Sequence, residues 1–98
     1  MMIEIKKNAE ATIIEIVGRL DTTTAPALDK TINEIIVDSK NILIDAKGLE
    51  YISSAGLRVL LGAQKKMQKF GSMKLINVCD DVMEVFEMTG FAEILTIE

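Results

Sequence analysis

Asn41-Ile42-Leu43-Ile44-Asp45-Ala46-Lys47-Gly48-Leu49-Glu50-Tyr51-Ile52-Ser53-Ser54-Ala55-Gly56-Leu57-Arg58-Val59-Leu60-Leu61 changes character twice. Asn41–Asp45 is a short apolar run bounded by turn residues, which predicts a buried strand. Lys47–Ile52 reads as the loop that follows. From Ser53 or Ser54 the period becomes helical, with Leu57, Leu60, Leu61, Gln64 and Met67 on one face. Gly71 stops this helix after about Phe70. A short apolar strand feeding a long amphipathic helix predicts an α/β architecture with parallel strands.

Upstream, Ile3 and Ile5 alternate with polar neighbours, and Thr12-Ile13-Ile14-Glu15-Ile16-Val17 is β-branched. These are two strands joined through Asn8-Ala9-Glu10, close enough for an antiparallel hairpin. Gly18-Arg19-Leu20-Asp21-Thr22-Thr23-Thr24 breaks the pattern. Thr24 is placed to cap a helix whose first turn holds Pro26. Leu28, Ile32, Ile35 and Ile36 form its apolar stripe.

Downstream, Met73–Val78 reads as a strand. Asp80 or Asp81 caps a third helix with Val82, Val85 and Phe86 on one face, and Gly90 ends it. Ile94–Ile97 reads as a terminal strand. The predicted order is β-β-α-β-α-β-α-β, a mixed sheet with right-handed crossovers between its parallel strands.

The chain has 98 residues, enough for one domain over residues 1–98. Its 49% hydrophobic content, much of it Ile, Leu and Val, supplies a core and argues against disorder. A net charge of −4 with scattered basic residues argues against nucleic acid as a direct partner. Lys65, Lys66 and Lys69 read as a solvated helix face. No stretch approaches the roughly 18 apolar residues of a membrane span, and Met1–Lys7 reads as neither a signal peptide nor a lipidation site.

The single cysteine, Cys79, rules out an internal disulfide and fits a reducing cytoplasmic setting. It is expected to be a small core hydrophobe. With no histidine, the usual zinc sets and histidine-activated nucleophiles are missing. There is no phosphate-binding loop of the Gly-x-x-x-x-Gly-Lys kind. We expect no metal, no cofactor and no catalytic residue, and a monomer as the simplest state.

The chemistry concentrates in Ser53-Ser54-Ala55-Gly56. A serine opening a helix caps orphan backbone N–H groups. That accounts for one serine but not for the pair, nor for small Ala55 and Gly56. Gly56 and Gly62 each cost the helix about 1 kcal/mol against alanine. Either close packing or close approach of a partner must offset this. A helix N-terminus also tolerates a phosphate, so Ser54 is a sensible switch position. Asp45, at a strand end, is expected to tie down the following loop.

Gly18-Arg19-Leu20-Asp21 followed by Ala25 and Leu28, together with Asp45–Leu61, resembles the STAS family, and within it the bacterial anti-sigma factor antagonists. The match spans nearly the whole chain. The resemblance implies a mixed sheet with helices packed mainly on one side, and a partner-switching role. In that scheme an unphosphorylated antagonist binds an anti-sigma factor that is also a serine kinase. The sigma factor is thereby released. The kinase, carrying its own ATP, then phosphorylates the antagonist, and a serine phosphatase resets it. By position, Ser54 matches the phosphorylated serine, and Asp21 matches a loop aspartate used in partner contact. The family commonly carries aspartate where this chain has Ser53, which leaves Ser53 as an alternative acceptor. Asp21, Thr22, Thr23, Ser53, Ser54, Ala55, Gly56 and Arg58 are the expected partner-binding set. The competing expectation is a non-switching accessory domain in a lipid-transport or stress-signalling complex. Retention of Ser54 together with Asp21 favours the switch.

Overall fold

Hydrophobic alternation drives the first 20 residues into a hairpin. In the computed structural model, which describes residues 1–98, β1 (Met2–Lys7) pairs antiparallel with β2 (Thr12–Leu20). Asn8 shapes the turn by accepting hydrogen bonds from the backbone N–H groups of Glu10 and Ala11. The chain continues through α1 (Ala25–Ile36), β3 (Asn41–Ile52), α2 (Ser54–Phe70), β4 (Ser72–Ile76) and α3 (Asp80–Thr89). The sheet order is β1-β2-β3-β4, with β2, β3 and β4 parallel. Both crossovers step in the same direction. Crossovers of one hand therefore place α1 and α2 on the same face.

That face is the core. Ile14, Ile16, Ile42, Ile44, Ala46, Met73 and Leu75 from the sheet join Leu28, Ile32, Leu60, Met67 and Phe86 from the three helices in one buried cluster. Of the predicted stripes, Leu28, Ile32 and Ile35 of α1 and Leu57, Leu60, Gln64 and Met67 of α2 are buried, while Ile36 and Leu61 at their margins are half-buried. On the opposite sheet face Val17 is exposed, and Lys6 pairs with Glu15 at 2.8 Å. That pairing raises the Lys6 pKa, chiefly through the hydrogen bond to Glu15.

Several expectations change. β2 and β3 are both longer than the sequence pattern indicates. Pairing continues through Val17↔Gly48, Gly18↔Leu49, Arg19↔Tyr51 and Leu20↔Ile52, with two register shifts on the way. Lys47–Ile52 is thus strand, not loop. Its irregularity breaks the alternation, which is why the pattern misleads. Gly48 sits where a Cβ would lie 2.7 Å from Val17 Cγ2, so the two strands close up at the bulge.

β4 stops at Ile76 because Asn77 adopts a left-handed backbone with φ 58°. Cys79 therefore leaves the sheet. It becomes the exposed N-cap of α3, and its Sγ lies 3.5 Å from the Leu49 carbonyl. It is not a core residue, and Asp80 and Asp81 lie inside the first turn rather than at the cap. Finally, Phe91–Glu93 forms a 3-10 turn, and the terminal strand shrinks to a single parallel bridge between Leu75 and Ile97. Asp45 does act as a tie. Its Oδ1 accepts from Lys47 N–H at 3.0 Å and from Asn77 Nδ2 at 3.1 Å, joining the β3 bulge to the end of β4.

Candidate functional site

Asp21 and Ser54 are far apart in sequence, and strand pairing makes them neighbours. Leu20 and Ile52 are register partners at the ends of β2 and β3. The next backbone hydrogen bond, Ser53 N–H to the Leu20 carbonyl at 2.9 Å, locks the two chain exits together. The Asp21 loop and the serine turn thus leave the carboxyl ends of adjacent parallel strands, where open α/β sheets form their sites.

The Asp21 loop is organised by its own carboxylate. Asp21 Oδ1 accepts from Thr23 N–H at 3.0 Å, Thr23 Oγ1–H at 2.7 Å and Thr24 N–H at 3.2 Å. The Thr23 hydroxyl is the main reason the Asp21 pKa lies below the usual carboxylate value, and the two backbone donors add to it. A carboxylate fed by donors stays charged. Thr24 does occupy the N-cap of α1, but its hydroxyl does not cap the helix. It donates to the Arg19 carbonyl at 2.7 Å and accepts from Asp21 N–H at 2.9 Å, so it braces the loop instead.

The serine turn divides into an outer and an inner half. Ser54 is exposed and is the first residue of α2. Ser53 holds the N-cap position with extended backbone, φ −100° and ψ 176°. Its hydroxyl nevertheless makes no capping hydrogen bond, and Oγ is buried. An incoming group therefore reaches the Ser54 hydroxyl and not that of Ser53.

Ala55 is half-buried against the core. Gly56 is buried. A Cβ there would lie 2.6 Å from Leu20 Cγ and 3.0 Å from Ile52 Cγ1. Close packing, not a partner, thus accounts for this glycine, and Gly56 offers no surface for contact. Its smallness seats the start of α2 directly on the ends of β2 and β3. Thr22 and Thr23 are exposed, and so is Arg58, one helical turn beyond Ser54. Of the eight expected contact residues, Thr22, Thr23, Ser54 and Arg58 are exposed, Asp21, Ser53 and Ala55 are half-buried, and Gly56 is buried.

Sequence reasoning missed Arg19 and Tyr51. They are register partners, and the Arg19 guanidinium lies 4.1 Å from the centre of the Tyr51 ring. Arg19 Nε also approaches Asp21 Oδ2 at 3.9 Å. Tyr51 is 42% exposed, so this cation–aromatic pair forms part of the surface beside the serine turn. Only the strand register could have revealed it.

Comparison with known proteins gives a consistent result. The family model described as the STAS domain matches residues 2–98. The anti-sigma-B factor antagonist of Listeria monocytogenes is 31% identical over 98% of this chain and 87% of that protein. The anti-sigma-B factor antagonist of Bacillus subtilis is 29% identical over 97% of this chain and 88% of its own length. Among solved structures, an anti-sigma factor antagonist from Mycobacterium paratuberculosis superposes with a TM-score of 0.89 at 21% identity, covering 98% of this chain and 83% of that one. The phosphorylated form of the Bacillus cell fate determinant SpoIIAA superposes with a TM-score of 0.77 at 19% identity, covering 99% and 91% of the two chains. At those identities the two superpositions bear on the fold. No helix of this chain is long and apolar enough to cross a membrane.

Proposed function

This chain belongs to the STAS domain family, and from that premise we propose that it is an anti-sigma factor antagonist that switches partners by phosphorylation of Ser54. The observation that carries the reading is the Ser53–Leu20 hydrogen bond. It brings an exposed, helix-opening serine beside a loop whose aspartate is held charged. Relatives at 29–31% identity over nearly the full chain carry the antagonist name.

Unphosphorylated, the face made by Asp21, Thr22, Thr23, Ser54 and Arg58 docks an anti-sigma factor that is also a serine kinase. Sigma factor is thereby released. The kinase supplies ATP and the base. The Ser54 Oγ–P bond forms, the β–γ bridging bond of ATP breaks, ADP leaves, and the serine proton passes to the kinase. The product carries about −1.5 to −2 charge at neutral pH. That charge sits at the positive end of α2, so the domain stays folded. It also sits beside Asp21, where it makes the docking face strongly anionic and costs desolvation on every approach. The complex breaks, and a serine phosphatase restores the hydroxyl. The burial of Ser53 Oγ supports Ser54 rather than Ser53 as acceptor. In this reading the protein acts in the cytoplasm as a monomer, by binding rather than catalysis. The accessory-domain reading has no observation of its own in its favour.

The test combines site mapping with affinity. Incubation with the cognate kinase and ATP should place one phosphate on Ser54. Ser54→Ala should bind the anti-sigma factor and resist inactivation. Ser54→Asp should bind tenfold or more weakly, about 1.4 kcal/mol. Phosphate on neither serine, or equal affinities for wild type and Ser54→Asp, rejects the switch.

A further inference from the structure

Resting on the Ser54 reading, the structure points to a second element of the switch, a side chain that receives the phosphate. Arg58 lies four residues after Ser54 in the same helix. At that spacing side chains are neighbours on the helix surface, about 5–6 Å apart at Cβ, and an acid placed N-terminal to a base is the favourable order. Arg58 is exposed, and no carboxylate lies within ion-pairing distance of it. The other arginine at this end of the molecule is occupied: Arg19 lies over Tyr51 and beside Asp21. No acidic residue stands in the first turn of α2 to compete for Arg58. The neighbouring Ser53 is neutral, and its buried hydroxyl is without a partner.

We infer that Arg58 folds back one helical turn to hold the phosphate on Ser54, so that modification withdraws a cation from the docking face as it adds an anion. A guanidinium matches phosphate oxygens two at a time. In the unmodified protein Arg58 points to solvent and is free to meet a partner's acid. In the modified protein it is spent within the chain. Attraction is thus lost together with the gain of repulsion, and the phosphate becomes part of a fixed surface. Besides Arg58 on α2, the charged groups at the adjoining chain exit are Arg19 near the end of β2 and Asp21 just after it. Asp21 opposes the phosphate, Arg19 offsets Asp21, and only Arg58 shares a helix face with Ser54.

The experiment installs phosphoserine at position 54 during translation, so no kinase is needed. Phosphorus NMR then follows the second ionisation of the phosphate in wild type, Arg58→Gln and Arg58→Lys. The helix end, Asp21 and Arg19 are common to all three, so differences report residue 58. In Arg58→Gln the phosphate pKa should rise by about 0.2–0.4 units relative to wild type. Arg58→Lys should restore part of that difference. The Arg58 Nε–H resonance of the wild type should also shift and exchange more slowly once position 54 is phosphorylated. Identical phosphate titrations in wild type and Arg58→Gln, or an Arg58 resonance indifferent to phosphate, overturn the pairing. A kinase that leaves Ser54 unmodified overturns the switch, and leaves this result standing.

Discussion

Two glycines in one helix make a sharp test of how α2 is seated. Gly56 and Gly62 both lie within Ser54–Phe70. As alanine, each would recover up to about 1 kcal/mol of helix propensity. Their surroundings differ completely. A Cβ at Gly62 meets nothing within 4 Å. A Cβ at Gly56 lies 2.6 Å from Leu20 Cγ and 3.0 Å from both Leu20 Cδ2 and Ile52 Cγ1. Leu20 is 0% exposed and Ile52 only 4%, so neither side chain has room to withdraw. Overpacking of this kind costs about 1–3 kcal/mol, and two buried neighbours put Gly56→Ala in the upper half of that range. After the propensity gain, Gly56→Ala should destabilise by about 1–2 kcal/mol, whereas Gly62→Ala should stabilise by up to ~1 kcal/mol. For a domain of this size each kcal/mol moves Tm by about 4–8 °C. Calorimetry should therefore show Gly62→Ala melting above wild type and Gly56→Ala roughly 4–16 °C below it. Gly56→Ala should also loosen the Ser53–Leu20 hydrogen bond, seen as faster amide exchange at Ser53. If the two variants shift Tm in the same direction, the packing argument for Gly56 is wrong.

Replacing Ser53 by alanine should leave urea stability unchanged or slightly higher, because the buried hydroxyl has no partner to lose. A loss near the ~1 kcal/mol typical of a capping serine would show that Oγ caps α2 after all. The Asp21 loop predicts a pH dependence. Folding lowers the Asp21 pKa, so its contribution is complete above the unfolded carboxylate value of about 3.9 and is lost as pH falls through the lower folded value. The urea midpoint difference between wild type and Asp21→Asn should accordingly hold constant from about pH 7 to 5 and shrink below about pH 4. A difference that grows on acidification would contradict the assignment.

Sequence alone determined the features that depend on near neighbours in the chain. The apolar stripes of α1 and α2, the opening hairpin and the parallel β3 were legible because periods of 2 and 3.6 are local. Gly90 was legible as a helix end for the same reason, and it indeed sits in the left-handed region with φ 81°. The serine turn and the Asp21 loop were legible as motifs, and so was the family resemblance.

Only the tertiary structure decided what depends on contacts across the sheet. The bulged pairing of Val17 with Gly48 converts an apparent loop into the second half of β3. The left-handed turn at Asn77 takes Cys79 out of the core. The register of Leu20 with Ile52 lays Asp21 beside Ser54. The Ser53 hydroxyl is buried and Ser54 is exposed, a distinction that two identical residues in succession cannot carry in their sequence. The physical reason is that such contacts join residues more than thirty positions apart, as Ser53 N–H and the Leu20 carbonyl are, and no local period records them.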